Sequence, residues 1–345
     1  MQFIYDLDYP ELSGFIKESG EPPFRATQIW EGLYKQFWQK PDEFTNLSKS
    51  LRRKLADRFL FDPISPSQKL DSLDGKTRKT LFRLPDGKFI EAVLMRYDRR
   101  NTLCISTQVG CAMGCVFCAT GQMGFTRHLS SGEIVAQVIY YARSLAEEKS
   151  HVTNIVVMGM GEPFHNYKNT LAAIDRLNDP LGYNFGARRI TVSTSGLVPA
   201  IRRFAEEKRQ VNLAISLHAA EQGLRTTMMP INKKYPIDEL LDACRDYIKM
   251  TGRRITFEWA LIEGVNDTPD QARKLAAKLK GMLCHVNAIP LNPTRGFEGK
   301  ATTHKRAQQF KNVLEQSGIP CTIRVRRGID IQAGCGQLAV SEGGE

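Results

Sequence analysis

From residue 101 onward, short apolar runs alternate with stretches whose apolar positions recur every three or four residues. Runs over 102–107, 154–158, 189–193, 212–217, 255–261 and 285–291 read as strands, bounded by polar or glycine-containing turns. Stretches over 131–146, 167–178, 237–251 and 269–280 carry the helical period. Six β/α repeats in order predict an α/β fold, a parallel sheet curled into a barrel or most of one. In such folds the site gathers at the carboxyl ends of the strands.

The first 100 residues follow another pattern. Residues 1–60 read as helical, with one helix opening at Tyr9-Pro10-Glu11-Leu12, a second over 24–38 and a third beginning at Asn46. Trp30, Tyr34 and Phe37 fall at i, i+4 and i+7 and predict the core of a small bundle rather than a platform for stacked bases. Pro63 and Pro66 interrupt the helical pattern, and 79–84 and 89–95 flank Pro85-Asp86-Gly87 as a β-hairpin. The chain therefore divides into a helical accessory domain (1–60), a β-hairpin linker (61–100) and a core (101–345).

Hydrophobic residues make up 42% and charged residues 25% of the 345, an ordinary globular balance. The N-terminus has no basic segment followed by an apolar core, so no signal peptide is expected, and no apolar run approaches the roughly 18 residues of a membrane span. Eight cysteines in a chain this long do not form a secreted disulfide framework; a reducing, cytoplasmic setting is expected. The net charge of +11 is clustered, in Lys49–Lys54, Arg96–Arg100 and Arg324–Arg327, which points to a nucleic-acid partner.

The chemistry concentrates in Cys111-Ala112-Met113-Gly114-Cys115-Val116-Phe117-Cys118. A structural zinc ion needs a fourth Cys or His at matching spacing, and no such close pair follows. Iron–sulfur clusters take cysteine thiolates, and a cube held by three leaves one iron open to a small molecule. This spacing resembles the signature of the radical S-adenosylmethionine (SAM) superfamily. The resemblance implies a 4Fe–4S cluster on Cys111, Cys115 and Cys118, with SAM on the open iron.

Polar residues at the other strand ends suit one ligand lying across the barrel mouth. Gly159, Gly161 and Glu162 follow the second strand; glycines admit close approach and the carboxylate can receive an ammonium. Ser193-Thr194-Ser195-Gly196 follows the third, Ser216-Leu217-His218 the fourth and Asn292 the sixth. Cys244, Cys284 and Cys321 lie in apolar surroundings and read as inert core thiols. Cys335, flanked by glycines, reads equally as a tail thiol or as a functional one.

Taken together, Cys111–Cys118, Met158–Pro163, Ser193–Gly196, Ser216–His218, Pro230–Lys234, Gly264–Asp267, His285–Asn287 and Ala333–Leu338 resemble one radical SAM family. Its members methylate C2 of an adenine in 23S rRNA and in certain tRNAs. The resemblance implies that a methyl group first moves from SAM to Cys335, and that a radical from a second SAM then activates it for addition to C2. It implies that Cys104 attacks Cys335 to release the product through a transient disulfide, and it leaves the C2 proton to Glu91 or Cys104. Gly161, Glu162, Ser193, Ser216, Leu217, His218 and Asn292 are implied to hold SAM. An external one-electron donor of the flavodoxin type and a monomeric enzyme are also expected. A sister group methylates C8 of the same rRNA adenine; Pro163, where that group has alanine, favours C2. Gly334 stands where the family usually has alanine. Arg52, Arg53 and Lys54 make the accessory domain the expected grip on RNA.

Overall fold

The computed structural model describes residues 1–339, so the last residues of the expected core, 340–345, lie outside the described residues. Its centre is a ten-stranded sheet: β1 (Ser65–Asp71), β2 (Thr77–Arg83), β3 (Phe89–Tyr97), β4 (Arg100–Cys104), β5 (Asn154–Val157), β6 (Ile190–Thr194), β7 (Asn212–Ser216), β8 (Ile255–Leu261), β9 (Cys284–Pro290) and β10 (Cys321–Ile323). The strands lie side by side in chain order. β1 to β4 pair antiparallel and β4 to β10 parallel. The parallel strands are thus the expected partial β/α barrel, with a three-strand antiparallel extension on one edge.

Several expected bounds shift, for physical reasons. The first barrel strand begins at Arg100 and ends at Cys104, because Arg100 and Asn101 pair across a tight turn with Tyr97 and Arg96 of β3. The expected two-strand hairpin gains β1, whose side chains are almost all exposed and so show no apolar alternation. The second helix, Phe24–Tyr34, stops short of Phe37, which adopts φ 57° and packs its ring 6.0 Å from Tyr183. Trp30 and Tyr34 do form the bundle core, ring to ring at 4.6 Å; Phe37 leaves their face.

The helices Tyr9–Glu18, Phe24–Tyr34 and Lys49–Arg58 share one continuous apolar core with the barrel. Asp6 fixes their seat. Its Oδ1 accepts N–H of Gly132 (2.7 Å) and the Ser131 hydroxyl (3.0 Å), capping the helix Ser131–Glu147 with negative charge at its N-terminus. Arg176 donates to the carbonyls of Asp6 and Leu7 from the next helix, Tyr167–Asn178.

After β10 the chain crosses the open side of the barrel. Arg324 N–H donates to Ala288 O on β9 (2.8 Å), Arg327 reaches Arg96 O on β3 (3.4 Å), and Asp330 accepts from Leu73 N–H beyond β1 (2.8 Å). Residues 324–339 thereby bridge the two sheet edges and carry Cys335 to the strand ends. Among the described residues, no helix is long and apolar enough to cross a membrane.

Candidate active site

The site is assembled from the turns that leave the strands. After β5, Gly161 takes φ 103°, and a Cβ there would come within 2.5 Å of the Gln108 side chain; only glycine fits this close turn. Glu162 follows, buried, its two oxygens accepting N–H of Phe164 (3.0 Å) and Ser195 (2.7 Å). That second bond ties the turn after β5 to the turn after β6. Burial pushes the Glu162 carboxyl up, and the two N–H donors oppose the shift.

After β7, His218 sits at φ 57° with Nδ1 accepting N–H of Ala260 on β8 (2.9 Å), which leaves the ring proton on Nε2. Burial, aided by the Arg225 cation, lowers the imidazole to about 3, so the ring is neutral. The Phe117 ring meets it edge-on at 4.9 Å. Arg225 is fully buried and donates to Leu217 O (3.1 Å), Ser216 O (3.1 Å), Ser195 O (2.6 Å) and Asn232 Oδ1 (2.9 Å). One guanidinium thus satisfies the carbonyls of two strand-end turns. Asn266 has a similar role, donating to His218 O (2.8 Å) and Ala260 O (2.7 Å). The Pro230–Lys234 and Gly264–Asp267 motifs therefore supply scaffolding for the strand ends.

These turns surround one cavity. Cys111, Cys115 and Cys118 border it with Gly161, Glu162, Ser193, Ser216, His218, Asn292 and Cys335. Leu217 faces away into the apolar core and contributes backbone only. Among the described residues, no three His, Cys, Asp or Glu side chains converge on a point where one ion could be gripped. The three thiols border one shared cavity, and three cysteine thiolates with no fourth Cys or His at matching spacing are the donor set of an iron–sulfur cube with one iron left open. Asn292 is buried, its Nδ2 donates to Cys335 O (3.0 Å), and its Oδ1 has no partner. An unpartnered buried acceptor on a residue of the cavity wall fits a ligand that brings a donor. At Gly334 a Cβ would stand 2.6 Å from Asn292 Nδ2, so glycine here lets the amide approach the Cys335 backbone.

A second, basic cavity adjoins the first, and Cys335, Asn292 and Glu258 border both. Cys104 lies on its wall, with Tyr97, Arg100, Arg254, Arg324, Arg326 and Arg327. Two of the three basic clusters are thus brought together here. Arg100 and Arg327 both lie over the Tyr97 ring, at 4.2 and 4.4 Å from its centre. Cys104 and Cys335 are free thiols, each pushed up to about 12: Cys104 by burial and then by the Cys335 sulfur beside it, and Cys335, whose own surface is exposed to the cavities, by the protein packed around it and then by a neighbouring carboxylate. For Cys335 that neighbour is first Glu258, whose own carboxyl, held by Asn287 Nδ2 at 2.6 Å, burial raises to about 7.

Glu91 borders neither cavity. It is buried and paired, with Oε1 2.9 Å from Lys79 Nζ and Oε2 accepting Ala339 N–H at 3.0 Å. The third basic cluster is partly spent: Arg52 donates to Asp42 O (3.3 Å) and Lys54 to Ser19 O (2.8 Å), while Arg53 is exposed. Cys244, Cys284 and Cys321 are buried, in keeping with inert core thiols. Glu258, Arg225 and Lys79 are the polar residues that sequence reasoning passed over. Glu258 had a visible signal, a lone carboxylate inside the apolar run Ile255–Leu261; the other two had none.

Residues 105–276 match the model of the radical SAM superfamily, and residues 3–60 that of the ribosomal RNA large subunit methyltransferase N-terminal domain. The dual-specificity RNA methyltransferase RlmN 1 of Myxococcus xanthus is 48% identical over 97% of this chain and 93% of its own length. A probable dual-specificity RNA methyltransferase RlmN of Bacillus licheniformis is 47% identical over 98% of this chain and 94% of its own. The crystal structure of a radical SAM methyltransferase from Sphaerobacter thermophilus superposes with a TM-score of 0.96, at 51% identity, covering 98% of this chain and 99% of that one.

Proposed function

The chain belongs to the radical SAM family of dual-specificity RlmN RNA methyltransferases, and from that premise we propose that it methylates C2 of an adenine in 23S rRNA and in tRNA, with Cys335 as the methyl carrier. The observation that carries this reading is the position of Cys335 on the wall common to two cavities, one edged by the three cluster cysteines and one by arginines.

The enzyme's cofactors are a 4Fe–4S cluster and SAM, which when bound supply a methyl electrophile and a hydrogen-abstracting 5′-deoxyadenosyl radical. Cys111, Cys115 and Cys118 hold the cluster. The turn at Gly161 would admit SAM closely, and the lone pairs of Glu162 not used by Phe164 and Ser195 would receive its ammonium. Ser193, Ser216, His218 and the free Oδ1 of Asn292 border the remainder, and Leu217 holds the backbone between two of them. His218, neutral with its proton on Nε2, can donate there without adding charge.

Adenine C2 has no nucleophilic lone pair, so direct displacement at the methyl group of SAM fails; a carrier sulfur removes the difficulty. Cys335 accepts the methyl and presents it to the second cavity. Cys104 borders that cavity, whereas the Glu91 carboxylate is occupied by Lys79 and Ala339. We therefore assign the C2 proton to Cys104 acting as the thiolate; the burial that holds the resting thiol up to about 12 makes the ionised sulfur a strong base. The odd electron that radical addition leaves on the adduct returns to the oxidised one-electron carrier. Product release follows when Cys104 attacks the Cys335 sulfur: the S–S bond forms as the S–C bond breaks, the electron pair goes to carbon, and the proton that Cys104 took from C2 completes the methyl group. The arginines of the second cavity hold the RNA phosphates around an unstacked adenine. An acidic, flavodoxin-type reductant suits the net charge of +11, and cysteines without a standing disulfide suit a reducing, cytoplasmic setting.

The test is incubation of the cluster-loaded enzyme with SAM, reductant and protein-free rRNA or tRNA, followed by nucleoside mass analysis against standards. The reading expects 2-methyladenosine from both RNAs. 8-Methyladenosine would assign the chain to the sister reaction, and SAM cleavage with no methyladenosine would overturn the substrate.

A further inference from the structure

The segment that carries Cys335 is held at both flanks by a single buried ion pair. Lys79 on β2 and Glu91 on β3 meet at 2.9 Å, with side chains 9% and 5% exposed. Lys79 Nζ also donates to Gln332 O (3.3 Å), before the cysteine, and Glu91 Oε2 accepts Ala339 N–H (3.0 Å), after it. Between these points the barrel holds the segment from the other side. Asn292 Nδ2 donates to Cys335 O (3.0 Å), Ala119 N–H to Gly336 O (2.7 Å) and the Thr120 hydroxyl to Leu338 O (2.5 Å).

We propose that the Lys79–Glu91 pair is the latch that positions the methyl-carrier segment, holding Cys335 on the wall shared by the two cavities. This rests on the carrier role given to Cys335 above. An ion pair taken out of water is stable only when its remaining donors and lone pairs are also filled. The two strands give these charges each other; the carrier segment gives each its further partner. Burial of the pair and docking of the segment thus depend on one another. Burial pushes the Glu91 carboxyl up and Lys79 opposes it, as expected of a charge kept in place by specific partners. Lys79 and Glu91 border neither cavity, so their action on the reaction passes through the segment.

The experiment compares the cluster-loaded wild type with Glu91→Gln, Lys79→Met and the double variant Lys79→Met/Glu91→Leu, which leaves no orphaned charge. One arm measures amide hydrogen exchange of the peptide spanning 332–339 against a reference peptide from β8. The other measures methyl transfer from SAM to Cys335 with no RNA present, by intact-protein mass. The latch predicts exchange about tenfold faster or more at 332–339, as a lost charged hydrogen bond implies, with β8 unchanged. It also predicts slower Cys335 methylation at unaltered SAM affinity. Normal exchange and normal Cys335 methylation, with only the RNA product lost, would show Glu91 acting on the adenine proton and overturn the latch. Exchange accelerated equally in both peptides would reduce the pair to general stability and overturn it as well. Should the wild type never gain a methyl on Cys335, the carrier reading fails, and the exchange arm alone decides the latch.

Discussion

Glu258 gives a quantitative test of the wall between the two cavities. Its carboxyl lies on β8, buried, with Asn287 Nδ2 at 2.6 Å on one oxygen. Burial raises it from an ordinary value of 4.5 to about 7, opposed by that bond and by Arg324. The folded state therefore holds a proton that the unfolded chain has released. The resulting stability is fully present below pH 4.5 and is lost as pH rises through about 7. At 1.36 kcal/mol per tenfold change in proton affinity, this amounts to about 3 kcal/mol. Glu258→Gln keeps an acceptor for Asn287 and removes the titration. Urea unfolding of both proteins at pH 4.5, 5.5, 6.5 and 8 should show the variant gaining on the wild type by up to about 3 kcal/mol, and levelling above pH 7. Because Glu258 is the leading negative neighbour of Cys335, the variant should also alkylate faster at Cys335 at pH 8. A difference that stays flat across the range would refute the buried, protonated carboxyl.

Three further outcomes concern the strand-end turns and the basic clusters. Arg225→Met leaves the carbonyls of Ser195, Ser216 and Leu217 without their donor; it should cost about 3 kcal/mol or more by urea midpoint and weaken SAM binding by calorimetry. Replacing Arg326 and Arg327 by Gln should weaken RNA binding and reduce the slope of log affinity against log salt by about 1 to 2. Neutralising Arg52, Arg53 and Lys54 should cost less affinity, since two of the three already donate to carbonyls within their own domain; an equal or larger loss would return the main RNA grip to the accessory domain.

The barrel was legible because its strands are short apolar runs buried on both faces, and the helices between them keep a regular apolar stripe. β1 was not, since an exposed edge strand of Ser, Pro, Gln and Lys carries no alternation and is fixed by pairing with β2 alone. The course of Phe37 depends on a ring contact with Tyr183, far along the chain, which no local period reveals. In the site, the cysteine spacing and the glycines at strand ends were readable because their chemistry is local. Glu91 shows the opposite case. Only the fold brings Lys79 from the neighbouring strand and Ala339 from the end of the chain onto one carboxylate. The convergence of Arg96–Arg100 with Arg324–Arg327 likewise depends on the segment that closes the barrel.

The central claim is that Cys335 carries the methyl group. Its most direct test is a parallel reaction of the cluster-loaded wild type and Cys335→Ala with SAM, reductant and protein-free rRNA, reading methyladenosine and SAM cleavage together. The account predicts 2-methyladenosine from the wild type and none from the variant, whose cluster cysteines and SAM wall are intact and which still cleaves SAM. Methyladenosine formed by Cys335→Ala at a comparable rate would contradict it.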